Sequence, residues 1–399
     1  NQVSRLKRVK KIMRKVSIVG GGLSKFGERW DSSFRDMIFE ASYMALEDAK
    51  MEGKDLQAIY GGTMAPGRLI GQEHVGALIA DQLGLNPIPS TRVEAACASG
   101  SVALRNAYFA IASGMYDIVA VGGVEKMTEV STEEVSFALG GAGDQEWELF
   151  LGATFPAIYA LMARRHMLEY GTTEEQMASC SVKNHKNASK NKFAQYQNEI
   201  TIQDVMDSAP VATPLKLYDC SPISDGAAAV ILCASEKAKK YTDTPIEIIG
   251  SGQASDALAL ANRKSMTEIA ATKVAAQEAF KQAKITTKDV QVAEVHDCFS
   301  IAEIMAIEDL GFCKKGEGGK FSEEGRSALN SDISINTSGG LKGCGHPVGA
   351  TGVKQAVEIY WQLQGRAEGR QVSNAEIGLT QNVGGSGATA VVHIFKRMD

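Results

Sequence analysis

The chain has 399 residues, of which 44% are hydrophobic and 22% charged, so it carries enough apolar material for large cores and is neither disordered nor a minimal scaffold. With 42 Lys and Arg against 47 Asp and Glu, a net charge of −5, its body lacks the basic footprint of a nucleic-acid binder. No apolar run approaches the roughly 18 residues of a membrane span. The seven Cys show neither a C-x-x-C pair nor zinc-type spacing, which points to reduced thiols and a cytoplasmic location.

In chain order, the first feature is a basic cluster, Arg5 to Lys15. A secretory signal would continue into an apolar stretch, whereas here a short strand runs into Gly20-Gly21-Gly22, so residues 1–12 read as a solvated tail. An internal repeat then organises the chain. Val16 to Gly20 and Ile246 to Gly250 are β-branched strands ending in glycine; each precedes a stretch of helical periodicity, 34–50 and 267–283, and then a Lys-Asp pair, Lys54-Asp55 and Lys288-Asp289. Ala98-Ser99-Gly100 opens a helix as Ala350-Thr351-Gly352 does, and 226–232 echoes 387–393. Strands Ile377 to Asn382 and 387–393 lie a hairpin apart, whereas Ile118 to Gly123 and 226–232 are separated by about a hundred residues. The expected domains are a first half (13–123 and 226–244), an inserted loop domain (124–225) with a helical stretch from Phe155 to Tyr170, and a second half (245–399). Alternating strands and helices predict an α/β fold with sheets covered by helices.

Four segments carry chemistry. Cys97 sits where a strand-like run meets the helix Ala98 to Ala112, and a helix N-terminus favours the thiolate. On local features alone, a buried packing role for this Cys is equally weighted. The run from Asn336 to Gly352 is glycine-rich and projects His346 just before Pro347; it lacks a Walker pattern. The segment Glu294-Val295-His296-Asp297-Cys298-Phe299-Ser300 ends a strand, and His296 and Cys298, two apart, are expected on one face. A metal site there lacks further ligands at usable spacing, so an acid/base pair is the simpler reading and no metal is expected. The glycine turn after Asn382, from Gly384 to Gly387, can offer backbone N–H groups to an oxyanion.

Together these segments resemble the thiolase superfamily over essentially the whole chain after Met13. The runs 152–166, Lys183-Asn184-His185-Lys186-Asn187-Ala188 and 220–230, with His296-Asp297-Cys298-Phe299, look like the sterol-carrier-protein-type branch and, within it, archaeal acetoacetyl-CoA thiolases. Common thiolases carry Asn-Glu-Ala-Phe at that last motif. The resemblance implies two pseudo-symmetric βαβαβαββ halves in a five-layered α-β-α-β-α core, with acetyl-CoA and CoA as substrates and no cofactor. It implies Cys97 as the acetylated nucleophile, His346 as its base and His296 with His346 as holders of the enolate oxygen. The backbone N–H groups of Cys97 and Gly384 would form the oxyanion hole. Common thiolases place a second Cys where this chain has Asn382, and Cys298 is the substitute base. Lys183, His185, Lys186, Ser221 and Ser224 are the expected substrate-binding residues, the basic ones weighed against an ordinary solvated helix face.

The implied reaction is a reversible Claisen condensation of two acetyl-CoA to acetoacetyl-CoA and CoA, feeding HMG-CoA and isoprenoid synthesis. The implied assembly is a homodimer or homotetramer, in complex with HMG-CoA synthase and a zinc-ribbon/OB-fold protein. The alternatives are a longer-chain 3-ketoacyl-CoA thiolase, a decarboxylating ketoacyl synthase, an HMG-CoA synthase, and a non-catalytic acyl-CoA or lipid-binding or scaffold member. The second thiol, Cys298, disfavours a ketoacyl synthase, and an HMG-CoA synthase is disfavoured because its general-base Glu has no evident equivalent; retention of both thiols with both histidines disfavours a purely binding role.

Overall fold

The structure, a computed structural model, describes residues 13–398; the basic tail 1–12 lies outside the described residues. Among the described residues, twelve strands follow in chain order: β1 (Val16–Leu23), β2 (Ala58–Gly62), β3 (Ser90–Val93), β4 (Ile118–Glu125), β5 (Pro210–Ala212), β6 (Leu215–Lys216), β7 (Gly226–Ala234), β8 (Ile246–Ser255), β9 (Val292–Glu294), β10 (Ser334–Ile335), β11 (Ile377–Gly384) and β12 (Thr389–Arg397). Ten of them run in the spatial order β10-β9-β11-β12-β8-β1-β7-β4-β2-β3. Read outward from the β8/β1 seam, the two sets of five repeat one plan. The first strand of each half pairs antiparallel with the last, β1 with β7 and β8 with β12, and two parallel partners flank β2 and β9. The expected pair of sheets is therefore present, joined edge to edge where Ser17 meets Glu247 and Ile18 meets Ile246.

Helices Ser99–Ala112 and Thr351–Leu363 pack against each other between the two sets of strands, while Phe34–Asp48 and Ala270–Ala283 cover the outer faces. Five layers result, as expected. The central crossing needs glycine at two positions: a Cβ on Gly100 would stand 3.0 Å from the Val353 backbone nitrogen, and one on Gly352 would run into Ser101. These two residues are repeat equivalents, so the close approach is symmetric.

All thirteen residues of Thr351–Leu363 are buried. A helix enclosed on every side must pair its polar groups internally. Lys354 Nζ meets Glu294 at 3.1 Å, and Arg370 meets Glu358 at 2.9 Å. Between β4 and β7 the chain leaves the repeat for helices Thr132–Gly140, Phe155–Tyr170 and Glu174–Ala188 and the β5–β6 hairpin, whereas β11 returns to β12 through a tight turn.

Candidate active site

Cys97 stands one residue before the N-cap of helix Ser99–Ala112, on a turn whose preceding residue, Ala96, has φ +51. A side chain is uncommon in that left-handed region. The turn is held by Ser99, whose hydroxyl donates to the Ala96 carbonyl at 2.6 Å and accepts from the Ala95 N–H at 2.9 Å. Across the pseudo-twofold, Thr351 does the matching work for His346. Its hydroxyl donates to the Pro347 carbonyl at 3.0 Å and lies 2.6 Å from His346 Nδ1. Because that hydroxyl proton is already used, His346 Nδ1 carries the hydrogen and Nε2 keeps a bare lone pair. Ser224 accepts the His346 backbone N–H at 3.0 Å and fixes the loop.

His296 is set the opposite way. Asn382 Nδ2 donates to His296 Nδ1 at 3.0 Å, which leaves the ring proton on Nε2. That nitrogen is buried and has no hydrogen-bond partner. The two imidazoles meet edge to face with ring centres 5.0 Å apart. One nitrogen from each and the Cys97 sulfur lie within 4.8 Å of one another. Such spacing also suits a soft metal ion; among the described residues no other group of three His, Cys, Asp or Glu side chains has it.

The electrostatics favour neutral groups. Burial holds His296 down to about 3 and His346 well below the usual imidazole range, and the Lys354 cation adds to both. Dense packing pushes the Cys97 thiol up to about 12, against a backbone hydrogen bond from Gly385 that lowers it, although the residue keeps partial exposure. The thiolate expected from the helix terminus alone is thus outweighed by desolvation. The resting site is a thiol beside a neutral imidazole, the arrangement of a nucleophile activated by a general base.

Cys298 is buried, and desolvation pushes its thiol up against the opposing influence of Tyr159. It does not lie on a strand with His296: β9 ends at Glu294, and both residues sit in the following loop. Asp297 between them fastens that loop to the glycine-rich run, accepting the Leu341 N–H at 2.7 Å and Asn184 Nδ2 at 2.7 Å.

Two expected cations are engaged by neighbouring groups. Lys183 Nζ is engaged with Glu303 at 2.9 Å and the Ile335 carbonyl at 2.8 Å. His185 is buried, stacked on Tyr196 and held at about 4 by desolvation. His185 lies on the inner face of helix Glu174–Ala188, whereas the ion-paired Lys183 lines a cavity of about 420 Å³ together with Lys186 and Lys190. Ser221 and Ser224 bond to the chemical corner itself, Ser221 N–H to the Cys298 carbonyl at 2.9 Å. Gly384 closes β11 directly beside the turn, with a Cβ at that position standing 2.5 Å from the Ala95 carbonyl.

Sequence reading misses Glu125, at the end of β4. It accepts from the N–H groups of Met64 at 2.8 Å, Ala65 at 3.1 Å and Gly349 at 3.1 Å, tying the first half to the His346 loop; burial raises it to about 7. An acidic residue closing a β-branched strand was the available signal. Tyr159 and Lys354 gave none beyond helical periodicity.

The family model described as thiolase, N-terminal domain, matches residues 16–236, and that described as thiolase C-terminal domain-like matches 252–397. An acetyl-CoA acetyltransferase of Methanothermobacter thermautotrophicus is 58% identical over 385 residues, covering 96% of this chain and 100% of its own. Sterol carrier protein 2 of Oryctolagus cuniculus is 34% identical, covering 96% of this chain and 72% of its own. Among solved structures, an Ltp2–ChsH2(DUF35) aldolase shares the fold with a TM-score of 0.83 at 24% identity, covering 96% of this chain and 98% of that one. No described helix is long and apolar enough to cross a membrane. The chain belongs to the thiolase family of enzymes.

Proposed function

We propose that this thiolase is an acetyl-CoA C-acetyltransferase, an acyltransferase that condenses two acetyl-CoA to acetoacetyl-CoA and CoA through an acetyl-Cys97 thioester. The observation that carries the reading is the convergence of Cys97, His346 and His296, each histidine held in the tautomer its role requires. The bare His346 Nε2 takes the Cys97 proton as sulfur attacks the acetyl carbonyl. CoA departs with the proton of Cys298, and acetyl-Cys97 remains.

A second acetyl-CoA then gives a methyl proton to the Cys298 thiolate, and its enolate oxygen is held by the His296 Nε2–H. The enolate carbon attacks acetyl-Cys97, the Cys97 sulfur leaves and recovers its proton from His346, and acetoacetyl-CoA is released. The N–H groups of Cys97 and Gly384 are the proposed oxyanion donors at the thioester carbonyl. No cofactor enters this scheme, because the CoA thioester supplies both the leaving group and the acidified methyl.

The proposal extends to a cytoplasmic homo-oligomer, to residues 124–225 as an inserted loop domain that helps bind CoA, and to docking with an HMG-CoA synthase and a zinc-ribbon/OB-fold protein on the way to isoprenoid precursors. These parts rest on the family resemblance. The test of the chemistry is mass spectrometry after incubation with acetyl-CoA. One acetyl adduct is expected on Cys97 and none in Cys97→Ala, whose condensation rate falls by about 10⁴-fold or more. An adduct at another residue, or none, removes the assignment.

A further inference from the structure

Cys97, His296 and His346 come from three separate loops, and only the fold brings one sulfur and two imidazole nitrogens within 4.8 Å of one another. The nitrogens left open are both Nε2. His346 Nδ1 is engaged by the Thr351 hydroxyl at 2.6 Å and His296 Nδ1 by the Asn382 amide at 3.0 Å, while His296 Nε2 is buried without a hydrogen-bond partner. A ring held at one nitrogen and open at the other is the way a metal-binding imidazole is oriented.

We propose that Cys97 Sγ, His296 Nε2 and His346 Nε2 form a three-ligand site for one soft or borderline d¹⁰ cation, of which Zn²⁺ is the probe, and that the ion inhibits by occupying the sulfur and the facing imidazoles together. The ion is not a cofactor of the proposed reaction. Binding reads the site directly, so the proposal stands or falls apart from the acyltransferase reading. Thiolate and imidazole ligands select such an ion over Mg²⁺ and Ca²⁺, which take oxygen. Tetrahedral Zn²⁺, with Zn–S about 2.3 Å and Zn–N about 2.0–2.1 Å, sets its ligand atoms roughly 3.5 Å apart. From their 4.8 Å limit the three atoms must therefore close by at most about 1.3 Å, a shift that small side-chain rotations produce. Among the described residues no fourth His, Cys, Asp or Glu joins the group, Cys298 included. The fourth position falls to water, or to a thiol entering from the partly exposed side of Cys97.

Binding releases one proton. Cys97 gives its thiol hydrogen to solvent as the S–Zn bond forms. His346 already carries its hydrogen on Nδ1 and needs no change. His296 keeps its hydrogen, which passes from Nε2 to Nδ1, and Asn382 turns its amide over so that Oδ1 accepts it. The turned amide finds a new partner. Asn382 Oδ1 and Ser101 Oγ crowd the same point beside Gly352, and neither has a hydrogen-bond partner, so Nδ2 brought to that place can donate to the Ser101 hydroxyl. The charges facing the corner are of both signs: Glu125 and Glu94 act on Cys97, and Lys354, which acts on both imidazoles, is itself paired with Glu294 at 3.1 Å.

The test is titration of the metal-free enzyme with Zn²⁺, by calorimetry in two buffers of different protonation enthalpy. One ion bound and one proton released per chain are expected. Co²⁺ in its place should show a thiolate-to-metal charge-transfer band together with tetrahedral d–d bands. Zn²⁺ should protect Cys97 from methyl methanethiosulfonate, as read by mass spectrometry; a chelator should reverse the protection, and Mg²⁺ should give none. Cys97→Ala, His346→Gln and wild type already blocked at Cys97 by that reagent should each bind Zn²⁺ at least about 100-fold more weakly, and Thr351→Val about tenfold more weakly. The blocked wild type needs no substitution and so keeps the test free of folding defects. Unchanged affinity in Cys97→Ala and in the blocked enzyme, a cobalt complex without the charge-transfer band, or wild type that binds no Zn²⁺ at millimolar concentration overturns the proposal. Failure of the metal-free enzyme to acetylate at Cys97 with acetyl-CoA would instead overturn the acyltransferase reading and leave this site standing.

Discussion

The two halves share a plan and divide the labour unequally. In each, the first strand pairs with the last, a glycine in the central helix meets the other half, and the hydroxyl of that helix's first residue secures the turn before it. Yet the first half contributes only Cys97 to the proposed chemistry, while the second contributes His296, Cys298 and His346. The contrast is sharpest just after the equivalent strands β2 and β9. After β2 the chain places Thr63, Met64 and Ala65, which bind the Glu125 carboxylate; after β9 it places His296, Asp297 and Cys298. A duplicated frame thus supplies two facing corners, and specialising one for acid–base work leaves the other free to hold the nucleophile rigidly.

The largest effect that could break this division lies in the second half. Cys298→Ala should still form acetyl-Cys97, yet lose condensation by roughly 10³-fold, within the range of general acid–base contributions. The two readouts are intact-mass analysis and acetoacetyl-CoA production. Full condensation by that variant would return the base to some other group, and the second half would then carry only oxygen-holding residues.

A smaller effect compares the paired hydroxyls. Thr351→Val leaves the His346 Nδ1–H without an acceptor and frees the tautomer, and should slow acetylation and condensation alike by about tenfold. Ser99→Ala loosens the Cys97 turn but touches no proton in flight, so it should lower stability by about 1 kcal/mol with a lesser rate effect. Pre-steady-state acetylation and denaturant unfolding measure both. If Ser99→Ala slows acetylation as much as Thr351→Val does, the two corners are kinetic equals and the asymmetry fails at this level.

Legibility in the sequence follows the same division. Strands that are β-branched and end in glycine, helices with three-and-four periodicity and turns with Lys-Asp pairs carry their own local pattern. The repeat therefore locates β1 and β8, the outer helices and the short helical turns Gly53–Asp55 and Thr287–Asp289. Helix Phe155–Tyr170 falls on the expected bounds. Strand β10 has two residues, too few for any period to register. Cys97, His296, Cys298 and His346 are visible as motif residues, but their ionisation is not, because desolvation comes from elements distant in sequence. The same cause hides Lys183 and His185. Their helix is polar by composition, and only the fold reveals that this stretch of it faces Glu303 and Tyr196. Tyr159 was hidden because one oxygen on an apolar helix face does not alter periodicity.

The smallest expected effect tests how the halves are held together. His393 on β12 donates from Nε2 to the Ser101 carbonyl at the start of the first half's central helix, at 3.2 Å, and burial holds its imidazole at about 4. An unfolded histidine titrates near about 6.5. Between those values the unfolded chain binds a proton that the native chain refuses, so stability is full above the window and falls as pH drops through it. At pH 5 this single group should cost about 2 kcal/mol, and His393→Gln, which keeps a donor for Ser101, should remove that share of the acid sensitivity. Urea unfolding at pH 7 and pH 5 measures it. An unchanged pH slope in the variant would mean that the acid sensitivity resides in the other buried imidazoles, His296 and His185, held at about 3 and about 4, and His346, held well below the usual range, and that this tie between the halves is insensitive to protonation.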